Sequence, residues 1–196
     1  MSIQVVCWNV LADCYTSVCW KDRKSLLSAA ITSAVQRHAC PLLLLQEVDH
    51  AEDFYRPLLA SLGLQVLLAQ RPGKEDGCLI AFDHQRLELL AEETVDFDDL
   101  ASITPAEDNY KRLMFLRHNV ALLAQFCCRD SSTYLTVANT HHYWNPNFPE
   151  VKAGQVKYLL DRIASFQLTQ LSPSDTPVVL GGDFNSLPSS EVYALL

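Results

Sequence analysis

The stretch that most constrains this chain is Pro177-Val178-Val179-Leu180-Gly181-Gly182-Asp183-Phe184-Asn185. Its apolar run has no polar alternation, which is how a strand buried on both faces reads, and such strands belong to layered α/β folds. Gly181-Gly182 lets the backbone turn or approach a neighbour closely. In extended geometry Asp183 and Asn185 leave one face of the strand and Phe184 the other. Pro188-Ser189-Ser190-Glu191 reads as a helix start. A carboxylate and an amide therefore stand at the end of a buried strand, where open α/β sheets gather their chemistry. Asp and Asn also close strand ends by bonding their own backbone, so the stretch alone admits both readings.

Other segments repeat the pattern. Ile3 to Trp8 reads as a strand ending in Asn9, itself a common turn residue. Leu26, Leu27, Ala30, Ile31, Ala34 and Val35 recur at helical spacing and predict an amphipathic helix over 22–38. Pro41 opens a second buried strand, Leu42 to Leu45, which runs into Gln46-Glu47-Val48. A carboxylate there needs a partner, either an Arg or Lys or a metal ion. Asp49 and Glu52 bracket the next helix start in the manner of a capping box, with Phe54, Leu58, Leu59 and Leu62 as its buried face. Leu64 to Ala69 and Cys78 to Phe82 form a hairpin around 71–77, a solvated turn whose basic residues are also able to touch a phosphate. Residues 84–118 are less legible. Glu92, Glu93, Asp96, Asp98 and Asp99 read as a solvated acidic loop that faces away from any polyanion. Asn119 to Phe126 and Tyr134 to Ala138 read as an antiparallel pair, the second leading into Asn139-Thr140-His141-His142-Tyr143-Trp144-Asn145-Pro146. That ring-and-proline loop suits stacking against a base, or plugs the core. Val156, Leu159, Ile163 and Phe166 mark a helix returning to Pro177.

A length of 196 residues suits one domain, and a hydrophobic fraction of 49% suffices for a substantial core. A net charge of −8 argues against a protein that coats nucleic acid, though not against an enzyme that takes one strand end into a pocket. No apolar run is long enough to span a bilayer and no cleavable leader is evident. Seven cysteines without a C-x-x-C pair argue against a zinc site or a disulfide framework. The setting expected is therefore intracellular and cytoplasmic.

Four apolar strands thus end in Asn9, Glu47, His141 and the Asp183/Asn185 pair, in a chain without a dinucleotide fingerprint or a P-loop. Carboxylates and amides offer hard oxygen donors suited to magnesium or manganese. A His beside them can hold a phosphate oxygen, and the set suits metal-assisted phosphodiester hydrolysis.

Cys7-Trp8-Asn9-Val10-Leu11-Ala12, Leu45-Gln46-Glu47-Val48-Asp49, Asp76-Gly77-Cys78, Asn139-Thr140-His141 and Gly182-Asp183-Phe184-Asn185-Ser186 resemble, in order and over essentially the whole chain, the successive motifs of the exonuclease/endonuclease/phosphatase superfamily. The opening motif, the D-G-C turn and Trp144-Asn145-Pro146 are most similar to the carbon-catabolite-repressor-type deadenylases, relatives of nocturnin and angel. The resemblance implies an α/β sandwich of two packed sheets with helices outside, one domain over 1–196, and Mg2+ (or Mn2+) as cofactor. It implies 3′ exonucleolytic hydrolysis of RNA, the partner being an RNA 3′ end, poly(A). By the same resemblance Glu47 holds the metal, and Asn9 stands near the metal and the scissile phosphate. His141 stabilises charge on the phosphate. Asp183 positions or deprotonates the attacking water, with Asn185 beside it on the phosphate or a second metal, and Trp144 and Pro146 contact the terminal base. A phosphatase of small nucleotides or inositol phosphates and a non-catalytic binding protein are the alternatives. Family members continue to a further Asp-bearing strand and a Ser-Asp-His motif, and no Ser-Asp-His occurs here. The sandwich is expected to be incomplete at its C-terminal end, and the chain alone to be poorly active.

Overall fold

The computed structural model describes residues 3–37, 41–170, 173 and 175–196. The elements run β1 (Gln4–Asn9), α1 (Trp20–Gln36), β2 (Pro41–Gln46), α2 (Arg56–Ser61), β3 (Leu64–Gln70), β4 (Gly77–Asp83), β5 (Leu87–Asp96), α3 (Asp99–Ile103), α4 (Asn109–Phe115), β6 (Val120–Cys128), β7 (Tyr134–His141), α5 (Pro149–Thr169), β8 (Val178–Asp183) and α6 (Glu191–Leu195). They build two four-stranded sheets, ordered β1-β2-β4-β3 and β5-β6-β7-β8. β1 is parallel to β2 and β8 is parallel to β7; the remaining neighbours are antiparallel.

The period-two geometry of strands sorts the side chains into three layers. Leu42, Leu44, Ile80 and Phe82 of one sheet meet Leu122, Ala124, Phe126 and Val137 of the other. On the outer face of the first sheet, Leu43, Leu45, Leu79 and Ala81 pack under Leu27 and Ile31 of α1 and under Phe54, Tyr55 and Leu59. Ala121, Leu123 and Ala138 pack under Leu159, Ile163 and Phe166 of α5. The result is the expected sandwich, with β2, β4, β6 and β7 buried on both faces.

Several sequence expectations need correction. The apolar run at 177–180 is not a strand buried on both faces. β8 is an edge strand, with Val179 turned to the inter-sheet core, Leu180 toward α5, and Val178 42% exposed. The acid-rich segment at 92–96 is the second half of a ten-residue strand, β5, paired to β6. Leu87 and Val95 are its buried positions, and Glu93 is ion-paired to Arg162 of α5. The capping box does not form: Asp49 accepts instead from the Asp13 N–H (2.6 Å) and the His50 N–H (2.9 Å), Glu52 pairs with Arg56, and the helix opens with a π-turn over Ala51–Tyr55. In α1 the buried stripe is Arg23, Leu27, Ile31 and Val35, while Leu26 is 72% exposed. The 71–77 turn is likewise not simply solvated, because Arg71 pairs with the buried Asp76.

A buried amide crosses the largely apolar inter-sheet layer. Asn139, wholly buried, donates to the carbonyls of Leu45 (2.9 Å) and Leu79 (2.8 Å) and accepts from Gln46 Nε2 (2.7 Å). Beside it in register is Gly181, where a Cβ would collide with Leu44 across the layer. Truncating Asn139 takes one acceptor from the Gln46 amide, which keeps the Leu44 carbonyl (3.0 Å), and removes the donors to the Leu45 and Leu79 carbonyls. We expect Asn139→Ala to lose about 3 kcal/mol, read as a lower urea midpoint at unchanged m-value.

Candidate active site

The two parallel pairs place four strand ends on one rim of the sandwich. β1 closes with Asn9, and the chain then turns through Leu11 at φ +61°. The Leu11 N–H donates to Asn9 Oδ1 (3.0 Å), which fixes the amide with its nitrogen inward. From there Asn9 Nδ2 donates to Glu47 Oε1 (2.7 Å) and to Asp183 Oδ2 (3.0 Å). Glu47 comes directly after β2 in a left-handed conformation, φ +58°, which swings its side chain off the strand direction. Its other oxygen accepts from the Ala12 N–H (3.0 Å). Arg23, buried in α1, donates to the Val10 carbonyl (2.9 Å) and also to the Leu11 carbonyl and Asp13, so α1 holds the 9–13 loop in place. Asp183 closes its own backbone and also faces a neighbouring strand end. Oδ1 closes the strand end on the Asn185 N–H (2.9 Å), and Oδ2 faces Asn9.

His141 ends β7 opposite Asp183, with Nε2 3.9 Å from both Glu47 Oε1 and Asp183 Oδ2. Asn185, at φ +47°, donates through Nδ2 to the His142 carbonyl (3.0 Å) and stands 3.0 Å from His141 Nε2. An amide donating there makes Nε2 the acceptor and leaves the ring proton on Nδ1, a buried atom without a partner. Burial holds the His141 pKa below its ordinary value, against the opposing pull of Asp183 and Glu47. His142 is fully buried between Phe97 and Phe184, and desolvation pushes it down to about 3. It is a packed neutral ring.

Asn9, Glu47, His141, Asp183 and Asn185 thus come together from both sheets. Among the described residues neither carboxylate is ion-paired to a Lys or Arg. Two carboxylates held against one amide nitrogen, without a Lys or Arg partner among the described residues, match the hard-donor preference of a divalent metal. Glu47 and Asp183 offer the oxygens, because Asn9 commits its Oδ1 to Leu11. A second group of ligand-type side chains, Asp13, Asp49 and His50, lies beside Arg23 and Trp20. It is already engaged, Asp13 by Arg23 and the His50 ring by stacking on Trp20.

Two participants escaped sequence reading. Lys152, 6% exposed, donates from Nζ to the Asn185 carbonyl (2.7 Å) and so clamps the 183–185 turn. Gln155, wholly buried, accepts from the Tyr143 N–H (2.9 Å) and donates to Asn119 (3.3 Å), which in turn donates to the His141 carbonyl (3.0 Å). The available signal was a Lys and a Gln three apart on the apolar stripe of α5.

A cleft of about 550 Å³ opens over Glu47, His141 and Asn185, walled by Tyr143 and Trp144 on one side and by Lys74 and Arg117 elsewhere. Trp144 is 65% exposed. Pro146 is also exposed and does not line this cleft.

Residues 6–196 match the Endonuclease/Exonuclease/phosphatase family. The chain belongs to this family. It is 31% identical to carbon catabolite repressor protein 4 homolog 4 of Arabidopsis thaliana, covering 98% of this chain and 55% of that protein. It is 30% identical to the CCR4-Not complex 3′-5′-exoribonuclease subunit Ccr4 of Yarrowia lipolytica, covering 97% of this chain and 33% of that one. Among solved structures it superposes on ANGEL2, a 2′,3′-cyclic phosphatase in complex with adenosine-2′,3′-vanadate, with a TM-score of 0.79 and 30% identity over 97% of this chain and 55% of that chain. The chain spans about half, or less, of the length of these relatives.

The family's strand-end motifs are the residues that converge here, which makes Asn9 a test of the arrangement. Asn9→Ala removes the donor shared by two carboxylates and should destabilise the protein by about 2 kcal/mol at neutral pH. Millimolar magnesium should restore much of the loss by taking over the charge compensation. Thermal melts with and without the cation measure both effects.

Proposed function

We propose that this protein is a divalent-metal-dependent phosphodiester hydrolase that removes nucleotides from RNA 3′ ends, with poly(A) as the preferred end. The observation that carries the reading is the Glu47–Asn9–Asp183 bridge with His141 equidistant from both carboxylates. A similar protein bears the name of a 3′-5′-exoribonuclease, which supports this direction of attack. Glu47 and Asp183 would hold magnesium, or manganese in its place, which when bound would supply Lewis-acid polarisation of the phosphoryl group. Asp183 orients the attacking water and takes its proton at the carboxylate. Asn9 keeps the two carboxylates in register. His141, neutral before substrate arrives, gains a proton at Nε2 as the phosphate's negative charge enters and then stabilises the charge of the transition state. Once Nε2 carries that proton, Asn185 keeps its bond to the His142 carbonyl and turns its freed N–H to the phosphate. Trp144 offers a face for the terminal base, and Pro146 bounds that contact from outside the cleft.

The six described cysteines are unpaired, which suits the reducing, cytoplasmic setting proposed. No helix among the described residues is long and apolar enough to cross a membrane.

A second reading has its own support. A structural neighbour at TM-score 0.79 is described as a 2′,3′-cyclic phosphatase, so this site suits opening a cyclic phosphate at an RNA end. End-labelled oligoadenylates with a 3′-hydroxyl or a 2′,3′-cyclic phosphate, incubated with the full-length protein and magnesium, separate the two. A shortening ladder supports the exonuclease; loss of the cyclic end at constant length supports the phosphatase. Glu47→Gln should abolish either activity at every magnesium concentration while the melting curve stays cooperative. Unchanged turnover would remove Glu47 from the metal site.

Base selection and chemistry should divide between two side chains. Trp144→Ala is expected to lose about 1–3 kcal/mol of oligoadenylate binding, with less effect on oligouridylate. His141→Ala should instead lower kcat. Steady-state constants on both polymers check the split, and equal losses from Trp144→Ala on both would make the ring a structural plug.

A further inference from the structure

Six arginines of this chain each pair with a carboxylate: Arg23, Arg56, Arg71, Arg86, Arg129 and Arg162. Arg117 does not. Its guanidinium lies over the rings of Tyr143 (4.8 Å) and Phe148 (5.2 Å), and its buried Nε has no hydrogen-bond partner. Lys74 likewise has no carboxylate partner among the described residues. Both line the cleft that contains Glu47 and His141. In a chain of net charge −8, two uncompensated cations therefore converge on the same cavity.

Their loops are fixed and tied to each other. Arg71, salt-bridged to Asp76, donates from Nε to the His118 carbonyl (2.8 Å) and from Nη2 to the Arg117 carbonyl (3.4 Å). That links the 71–76 turn carrying Lys74 to the 117–118 loop carrying Arg117. The turn is closed further by the Lys74 N–H on the Arg71 carbonyl (3.1 Å) and by Gln70 on the Lys74 carbonyl (2.9 Å). Asp98 accepts from the N–H groups of both Arg117 and His118 (2.8 Å each) and pairs with the His118 ring (2.6 Å). An acid expected to face away from a polyanion is in fact a brace behind this wall.

We propose that Lys74 and Arg117 form a second phosphate subsite. They hold a phosphate of the ligand other than the one at Glu47 and His141, so that the preferred ligand carries at least two phosphates. A planar, ring-stacked guanidinium and a mobile ammonium are complementary receptors for one phosphate group. This deepens the hydrolase reading and rests on it for the position of the first phosphate. The second phosphate is either the next internucleotide phosphate of an RNA end or a second phosphate on one nucleoside.

Equilibrium binding to the full-length protein in EDTA, where nothing turns over, tests the subsite. The ligands are ApA, ApApA, adenosine 5′-monophosphate and adenosine 3′,5′-bisphosphate. Lys74→Gln, on an exposed turn position, and Arg117→Met, which keeps an apolar stem on the rings, are the variants. Each should weaken ApApA by about five- to tenfold more than ApA, and reduce the slope of log K against log salt for ApApA by about 0.7. If ApApA alone responds, the subsite takes an internucleotide phosphate. If the bisphosphate loses affinity more than the monophosphate does, it takes a second phosphate on one nucleoside. Equal losses for ligands with one and two phosphates, or no loss from Lys74→Gln, overturn the subsite. The two readings fail separately. A two-phosphate preference without magnesium-dependent cleavage sinks the hydrolase and keeps the subsite, whereas cleavage with an unchanged ApApA-to-ApA ratio does the reverse.

Discussion

A single buried amide sets the spacing of the two sheets behind the rim where the candidate site lies. Asn139 is an inter-sheet side chain whose donors and acceptor are all engaged, and its partners are the last two residues of β2 and the carbonyl of Leu79 on β4. Burying an amide in an apolar layer is tolerable only when its hydrogen bonds are made. Sliding one sheet over the other by a residue would break all of them together, so the register is fixed far more sharply than leucine packing alone would fix it. Glu47 is the residue after Gln46, and His141 lies two residues beyond Asn139. The distance between a carboxylate on one sheet and an imidazole on the other is therefore inherited from this contact. Gly181 adds to the constraint, since a Cβ there would force Leu44 of the facing sheet to shift beside Asn139.

Topology does the rest. Because β1 is parallel to β2 and β7 to β8, each pair delivers its C-terminal ends to the same rim. Beyond the ends of β1, β2 and β8 the chain is bent inward by unusual backbone: Leu11, Glu47 and Asn185 all sit at positive φ. Such conformations cost free energy in residues with a Cβ and persist only where the surroundings enforce them. Here Arg23 enforces the first loop and Lys152 the last. The site they maintain is electrostatically incomplete, with Glu47 and Asp183 sharing one neutral donor. Under the function proposed above, that arrangement would trade stability for affinity toward a divalent cation held by Glu47 and Asp183.

The central strands were readable from sequence because burial on both faces leaves an unbroken apolar run, as in Leu42 to Leu45. The strand-end residues were readable because polar groups there stand out against such runs. The features that escaped depended on neighbours rather than on local pattern. Whether Val178 to Leu180 lies at the centre or the edge of a sheet is decided by what pairs beyond it, and no periodicity encodes that. β5 was hidden because acids at its exposed and half-exposed positions outweighed the alternation of its apolar ones. Asp49 fits a capping box until Asp13, far away in sequence, supplies a better donor. Lys152 reads as an ordinary helix cation, since lysines usually extend to water; only the 183–185 turn lying over it makes it a buried clamp. Asn139 reads as the polar end of a strand, whereas it is the middle of the molecule.

The charge distribution bears on how an acidic protein would handle the polyanion proposed as its ligand. At physiological salt, fields fade over about 8 Å, so a net charge of −8 repels a phosphate chain at the surface but has little reach inside a cleft whose local charges are otherwise arranged. Six arginines and Lys157 spend their charge on a nearby carboxylate. A ligand is therefore selected by short-range contacts within the cavity walled by the 71–76 turn, the 117–118 loop and Tyr143-Trp144. A strand gains those contacts only by inserting a segment that fits, and an end enters such a cavity more readily than the middle of a chain. Under the function proposed above, a preference for ends would follow from the shape of this cleft, without any contact dedicated to recognising a terminus.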